Sequence, residues 1–216
     1  KYVARPAFLA ACVSAFGDIS LTLRHVDVGI FNNKLKLYAG VHGAEIGQMW
    51  HENILRDDIS KARGLDHGAW VPLKLGYPAA NIPVTQLSIQ PDLDPTNHYQ
   101  LGQALRPLRD EGVLILASGN LTHNLSEFRG RALDAEAPDW VQIFNEWMSW
   151  AIAEGRIDDL LHYRSRGPEA VRNHLTDEHL LPLFVALGAG EVGQSRRHLH
   201  KSYSYGVLAM DAYAFP

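Results

Sequence analysis

Eleven histidines stand in this chain of 216 residues, and three sit where an imidazole could do chemistry. Histidine titrates near neutrality and is the commonest metal ligand. His123 lies in SGNLTHNL (Ser118 to Leu125), directly after the apolar run VLILA (Val113 to Ala117). In open α/β sheets, ligands bind just beyond the carboxyl ends of strands, so this loop can display a side chain to a substrate. Gly119 permits unusual dihedrals, and Asn120 and Asn124 can tie a tight loop through side-chain hydrogen bonds. Taken alone, the loop suits a turn histidine as well as a functional one.

His67 follows Asp66 and precedes Gly68 in LDHGAW. A neighbouring carboxylate can orient an imidazole or raise its pKa. Adjacent residues rarely pair face to face, so Asp66 reads better as a helix N-cap. His179 lies in TDEHLLPLF with Asp177 and Glu178, and His174 stands five residues earlier. The segment reads as the first turn of an apolar helix capped by Thr176. The positive end of the helix dipole would keep that imidazole neutral and able to ligate a metal. The residues alone favour a surface histidine on a capped helix. Most of the remaining histidines are expected on the surface, and RRHLH (Arg196 to His200) reads as a solvated connector.

The elements that must position these residues follow from periodicity. Strands are expected over AFLAACVSAF (roughly Ala7 to Ala15), Ile82 to Gln90 and VLILA, with LTLRHVDVGIF (Leu21 to Phe31) a strand or hairpin arm. Helical spacing marks Ala44 to Leu55, and a short helix is expected over His67 to Leu75, ending before Pro78. Pro95 to Gly112 has Pro at its start and Gly at its end, as helices prefer. It joins two strands, which implies a parallel pair with a right-handed crossover. Ala137 to Gly155 is a long Trp-rich helix, IDDLLHYRSRG a shorter one, and Tyr203 to Phe215 a closing strand. Trp140, Trp147 and Trp150 suit core packing or a subunit contact better than a cofactor box. The fold expected is α/β: a single domain over residues 1–216 with a central mixed, largely parallel sheet flanked by helices.

Composition excludes several classes. The formal net charge is −4 and charged residues make up 20%, so no basic footprint points to nucleic acid. No apolar run reaches the ~18 residues of a membrane span. One cysteine, Cys12, rules out an internal disulfide framework and a Cys-rich zinc site and fits a cytoplasmic setting. No signal peptide is read at the start, though KYVARP opens without Met and leaves room for residues upstream. GxSxG, HExxH, Walker and GxGxxG patterns are absent. GAGEVG (Gly188 to Gly193) follows a helix, a poor place for a dinucleotide loop.

Three motifs in fixed order carry a resemblance: GLDHGAWVPLKLGYPAANIPVTQLSIQ, EGVLILASGNLTHNL and TDEHLLPLFVALGA, followed by YSYGVLAMDAYAF. From about Gly64 onward the chain resembles the class III extradiol ring-cleaving dioxygenase superfamily, in the branch of the DOPA 4,5-dioxygenases. The resemblance implies opening of a catechol ring beside the diol, using O₂ and a non-haem metal, iron(II) at work with zinc often in its place. It implies His179 as a metal ligand and His123 as the acid/base group. His67 would bind substrate or move protons, and Asn120 would contact substrate. It also implies small-molecule partners, the catechol and O₂, with a homodimer as the oligomer to test.

The same resemblance calls for two more metal-binding histidines near the N-terminus, in HGxP and SAHW motifs. Phe16 stands where the second belongs, and phenylalanine cannot ligate a metal. The HGxP strand would lie upstream of Lys1. His42 in VHGAE comes after the second strand, in the wrong order, and His25 is a further conceivable replacement. An incomplete start, a homologue that has lost its metal, and a rebuilt site therefore compete. A non-catalytic binding protein and a zinc hydrolase are the alternatives in function.

Overall fold

A computed structural model describes residues 10–14, 21–22, 67–77, 79 and 84–216. The expected helix over 44–55, most of the segment after Thr22, and Phe16, His25 and His42 lie outside the described residues. Four strands form one sheet: β1 (Ala10–Ser14), β2 (Leu21–Thr22), β3 (Val84–Ser88) and β4 (Leu114–Ser118), in the order β2-β3-β1-β4. β1 runs parallel to both β3 and β4, pairing Ala10 with Val84 and with Leu114, while β2 pairs antiparallel with β3. The strands either side of Pro95 to Gly112 are thus parallel but not neighbours, because β1 lies between them. A crossover helix sets direction and hand but leaves open whether another strand is inserted.

Helix α1 (His67–Gly76) matches its expected span closely and packs near β1 and β4. Helix α2 (Pro95–Leu105) is shorter than expected. Asp94 caps it by accepting the Asn97 N–H at 3.0 Å. Pro107 cannot donate an N–H to a continuing ladder, and the chain tightens into a 3₁₀ turn, Arg106–Glu111, that stops at left-handed Gly112. Helix α3 (Asp139–Ala153) buries Trp140, Val141, Phe144, Met148 and Ile152. These positions recur every three or four residues, the stripe a half-buried helix needs. Trp140 is buried, Trp147 lies over Phe144, and Trp150 is half exposed beneath Arg156.

IDDLLHYRSRG splits into α4 (Ile157–Leu161) and α5 (Tyr163–Arg166), followed by α6 (Ala170–Asn173). Helix α7 (Leu181–Ala189) crosses α2 with its backbone in contact. A Cβ on Gly102 would lie 2.1 Å from the Val185 carbonyl oxygen, and one on Gly188 would lie 2.0 Å from that of Tyr99. Only glycine allows helices so close. Arg106 and Arg109 then reach the carbonyls of Gly188 and Ala189 at 2.7 and 2.8 Å, placing positive charge at the negative end of α7.

The closing segment is not one strand. β6 (Tyr203–Ser204) and β7 (Leu208–Ala209) form a small antiparallel hairpin, and β8 (Ala212–Ala214) pairs instead with β5 (Arg197–His200). Tyr205 and Gly206 take positive φ, 55° and 69°, which turns the chain where alternating apolar residues suggested continuity. RRHLH is correspondingly a strand: the His198 imidazole stacks on Tyr213 and its Nε2 sits 2.7 Å from the wholly buried Asp211 carboxylate.

Candidate active site

The loop after β4 is held from three sides. The Asn120 N–H donates to the His179 carbonyl at 2.8 Å. A Cβ on Gly119 would stand 2.3 Å from that same oxygen. Gly119 does not take positive φ, so it is needed for close approach rather than for unusual dihedrals. The buried Thr122 hydroxyl donates to the Val207 carbonyl at 2.9 Å and accepts the Ala209 N–H at 2.7 Å, tying the loop to the β6–β7 hairpin. The His123 N–H donates to the Asn173 carbonyl at 3.0 Å. Asn124 is buried, donates to the Arg172 carbonyl at 2.6 Å, and accepts the Ser126 N–H at 3.1 Å, as expected of a loop-tying asparagine.

These restraints bring His123 against His179. Their rings stack with centroids 3.5 Å apart and planes 12° from parallel. His179 does not occupy the first turn of a helix capped by Thr176. It lies in a turn before α7, in which the Asp177 carbonyl accepts the Leu180 and Leu181 N–H groups. Pro182 suits the opening turn of a helix, and α7 begins one residue ahead of it. The Thr176 hydroxyl bonds Glu178 instead, at 2.7 Å. Glu178 Oε1 in turn lies 3.3 Å from His179 Nδ1.

Two imidazolium rings cannot share this stack, because like charges in contact disfavour one another. Burial, then the neighbouring His179 charge, push the His123 imidazole down to about 4, against an opposing pull from Glu178. Burial raises the Glu178 carboxyl, but the Thr176 hydrogen bond and the two histidines outweigh it and hold the group below the usual range. His123 is therefore a neutral base at neutral pH. His179 has Nδ1 facing a carboxylate, and a carboxylate on one ring nitrogen can orient an imidazole whose other nitrogen ligates a metal.

Of the seven histidines with described side chains, three are exposed. Of the other four, His123 and His179 are half-buried and His98 and His174 are buried, held by carbonyls and ring partners. His98 is buried between the Asp94 carbonyl and the Gln90 N–H, a structural role. His174 is wholly buried beneath the loop. Its closeness to His179 in sequence was the only signal of it. His67 begins α1, and its side chain lies outside the described residues. Asn120 lines a cavity of about 510 Å³ between β4 and the strands β5 and β8, as does His179. The cavity walls are mostly aliphatic, with Arg109, Asp211 and Tyr213 as further polar members, and His123 is not among the lining residues.

The donor set fits a metal only in part. Among the described residues no group of three or more His, Cys, Asp or Glu side chains could hold an ion. His179, with its carboxylate partner, has the chemistry of one ligand.

The family described as "Catalytic LigB subunit of aromatic ring-opening dioxygenase" matches residues 35–215. The chain belongs to the LigB family. Relatives include the 4,5-DOPA dioxygenase extradiol of Beta vulgaris, 45% identical over 158 residues, 73% of this chain and 58% of that protein. The protein of the same description from Portulaca grandiflora is 40% identical, again covering 73% and 58%. The LigB-type chain thus spans less than two thirds of the length of these curated relatives. A crystal structure of an uncharacterized Escherichia coli K12 protein superposes with a TM-score of 0.70 at 26% identity, covering 95% of this chain and 84% of the other.

Proposed function

We propose that this chain acts as an extradiol dioxygenase that opens a catechol ring, DOPA-like or related, with O₂. The observation that carries the reading is the His123–His179 stack beside Glu178. It pairs a neutral base with an imidazole oriented by a carboxylate, on a LigB-family scaffold. We read the four-stranded sheet as the central sheet of one domain with helices on its faces. A cytoplasmic setting is supported by the single cysteine.

His179 would supply one ligand to a non-haem metal, iron(II) with zinc as a substitute, and further ligands would come from outside the described residues. Such a metal would supply Lewis-acid and redox chemistry toward the diol and O₂. The chain's own contribution is acid/base chemistry and positioning. Neutral His123 takes a proton from a catechol hydroxyl and returns it later in the cycle. The loop ties at Asn120, Thr122 and Asn124 keep that ring from drifting. The largely aliphatic cavity lined by Asn120 and His179 suits an aromatic ring, for which Asn120 would be a polar contact. His67 is assigned to substrate contact or proton movement on the resemblance of its motif alone. The catechol, O₂ and a second copy in a homodimer are the partners proposed.

The test is oxygen uptake by protein loaded with iron(II) without air, then supplied with catechols, alongside the absorbance of the ring-opened product. One O₂ consumed per ring opened supports the reading. Metal-loaded protein that takes up no O₂ with any catechol overturns it. Phe16 favours a second reading, a binding protein on the same scaffold, for which catechol binding without turnover is the signature.

A further inference from the structure

One buried imidazole at the site is not used by the chemistry proposed above. His174 has no exposed surface. Its Nε2 lies 2.8 Å from the Leu121 carbonyl oxygen, and only a protonated Nε2 can bond a carbonyl, which assigns the tautomer. Nδ1 is buried and makes no hydrogen bond among the described residues. The ring stands edge-on to Phe144 and Tyr163, with centroids 5.9 and 6.2 Å away. The His174 backbone forms a parallel bridge with His123, and its carbonyl accepts Arg164 at 3.0 Å. Arg164 is anchored in turn by its ion pair with Asp177.

A phenylalanine would fill this aromatic niche without stranding a buried lone pair. What histidine adds is the Nε2–H bond to Leu121, two residues before His123. We propose that His174 is a positioning residue: its hydrogen bond to the Leu121 carbonyl sets the strand-end loop so that the His123 ring stacks on His179. This inference rests on the reading of His123 as the acid/base group. Burial pushes the His174 imidazole down to about 4 against the opposing Leu121 bond, with a smaller push from any charge on His123. It therefore remains a neutral donor above that pH. Thr122 and Asn124 fasten the same loop to other elements, so losing the His174 bond should misplace the loop without unfolding the protein.

The experiment compares His174→Phe with His174→Gln in the full chain. Phe keeps ring volume and loses the donor, whereas Gln keeps an N–H donor and loses the ring. Three readouts are taken: thermal midpoint, hydrogen exchange of the His123 amide relative to α3 amides, and kcat and KM with a catechol. In His174→Phe the His123 amide should exchange about tenfold or more faster relative to α3. Its kcat should fall about tenfold or more with KM nearly unchanged, and the midpoint should hold. His174→Gln should melt lower yet regain much of the relative His123 protection and kcat. Wild-type protection of the His123 amide in His174→Phe overturns the proposal. So does a loss at His123 no greater than that in α3, which marks plain packing. If His174→Phe does not fold, His174→Gln decides: extra exchange at His123 beyond that in α3 overturns it. Should the wild type open no catechol, the function reading fails and the exchange data still judge His174.

Discussion

Gly119→Ala tests whether the backbone of the strand-end loop rests on that of the His179 turn. The added Cβ would lie 2.3 Å from the His179 carbonyl oxygen, 3.3 Å from its carbon and 3.4 Å from Pro182 Cγ. The nearest of these atoms belong to backbone, so no side chain can swing aside. Reaching ordinary contact near 3.4 Å requires the two segments to part by about 1 Å. Overpacking of this kind costs about 1–3 kcal/mol. The same movement stretches the Asn120–His179 backbone hydrogen bond, whose net worth is about 1 kcal/mol. The total of about 2–4 kcal/mol corresponds to a fall in thermal midpoint of about 4–16 °C for a chain of this size. Because the displaced segments carry His123 and His179, ring opening should slow by about 10²-fold, the usual penalty for a 1 Å misplacement. Gly76→Ala is the control: its Cβ meets nothing within 4 Å, and the midpoint should hold to within about 0.5 kcal/mol of stability. Scanning calorimetry and initial rates would measure both. A Gly119→Ala protein that melts and turns over like the wild type would refute the contact.

His123→Ala should keep most of its bound iron while turnover collapses, whereas His179→Ala should lose metal; equal loss by elemental analysis would contradict the division of roles. With His123 titrating near 4, the acid limb of kcat/KM should fall close to pH 4, and a limb near 6.5 would show that His123 is not the base. The same depression makes the unfolded chain the better proton acceptor, so this contribution to stability is full above about pH 6.5 and is lost as pH falls through about 4. His123→Gln should flatten the stability profile in that window, read from urea midpoints at several pH values, and an unchanged slope would count against it. Thr122→Val strands the buried Ala209 N–H and removes the bond to Val207, which should cost about 2–4 kcal/mol in denaturant unfolding; a change under about 0.5 kcal/mol would mean that the hairpin is held otherwise.

Local pattern determined a good deal of this protein. The spans of α1, β3 and β4 follow from runs of apolar residues bounded by Gly and Pro, because periodicity and chain punctuation act over a few residues. The placement of His123 just beyond a strand end follows from the same signals, and motif order pointed to the class III extradiol dioxygenases, in agreement with the LigB match. Local pattern misled where a turn hides inside an apolar run. Tyr205–Gly206 breaks the closing strand by taking positive φ, and Pro182 moves the start of α7 past His179.

Tertiary structure alone decided the rest. Nothing near His123 in sequence announces that its ring will lie on His179, since that contact depends on β4 and α7 being held together by long-range packing. Gly119 is glycine because of a carbonyl sixty positions on, and His174 gains its place only when Phe144, Tyr163 and Leu121 close around it. Sequence records which side chains are available and where the chain can bend. Which of them share a few ångströms is settled by burial and backbone approach between segments far apart along the chain.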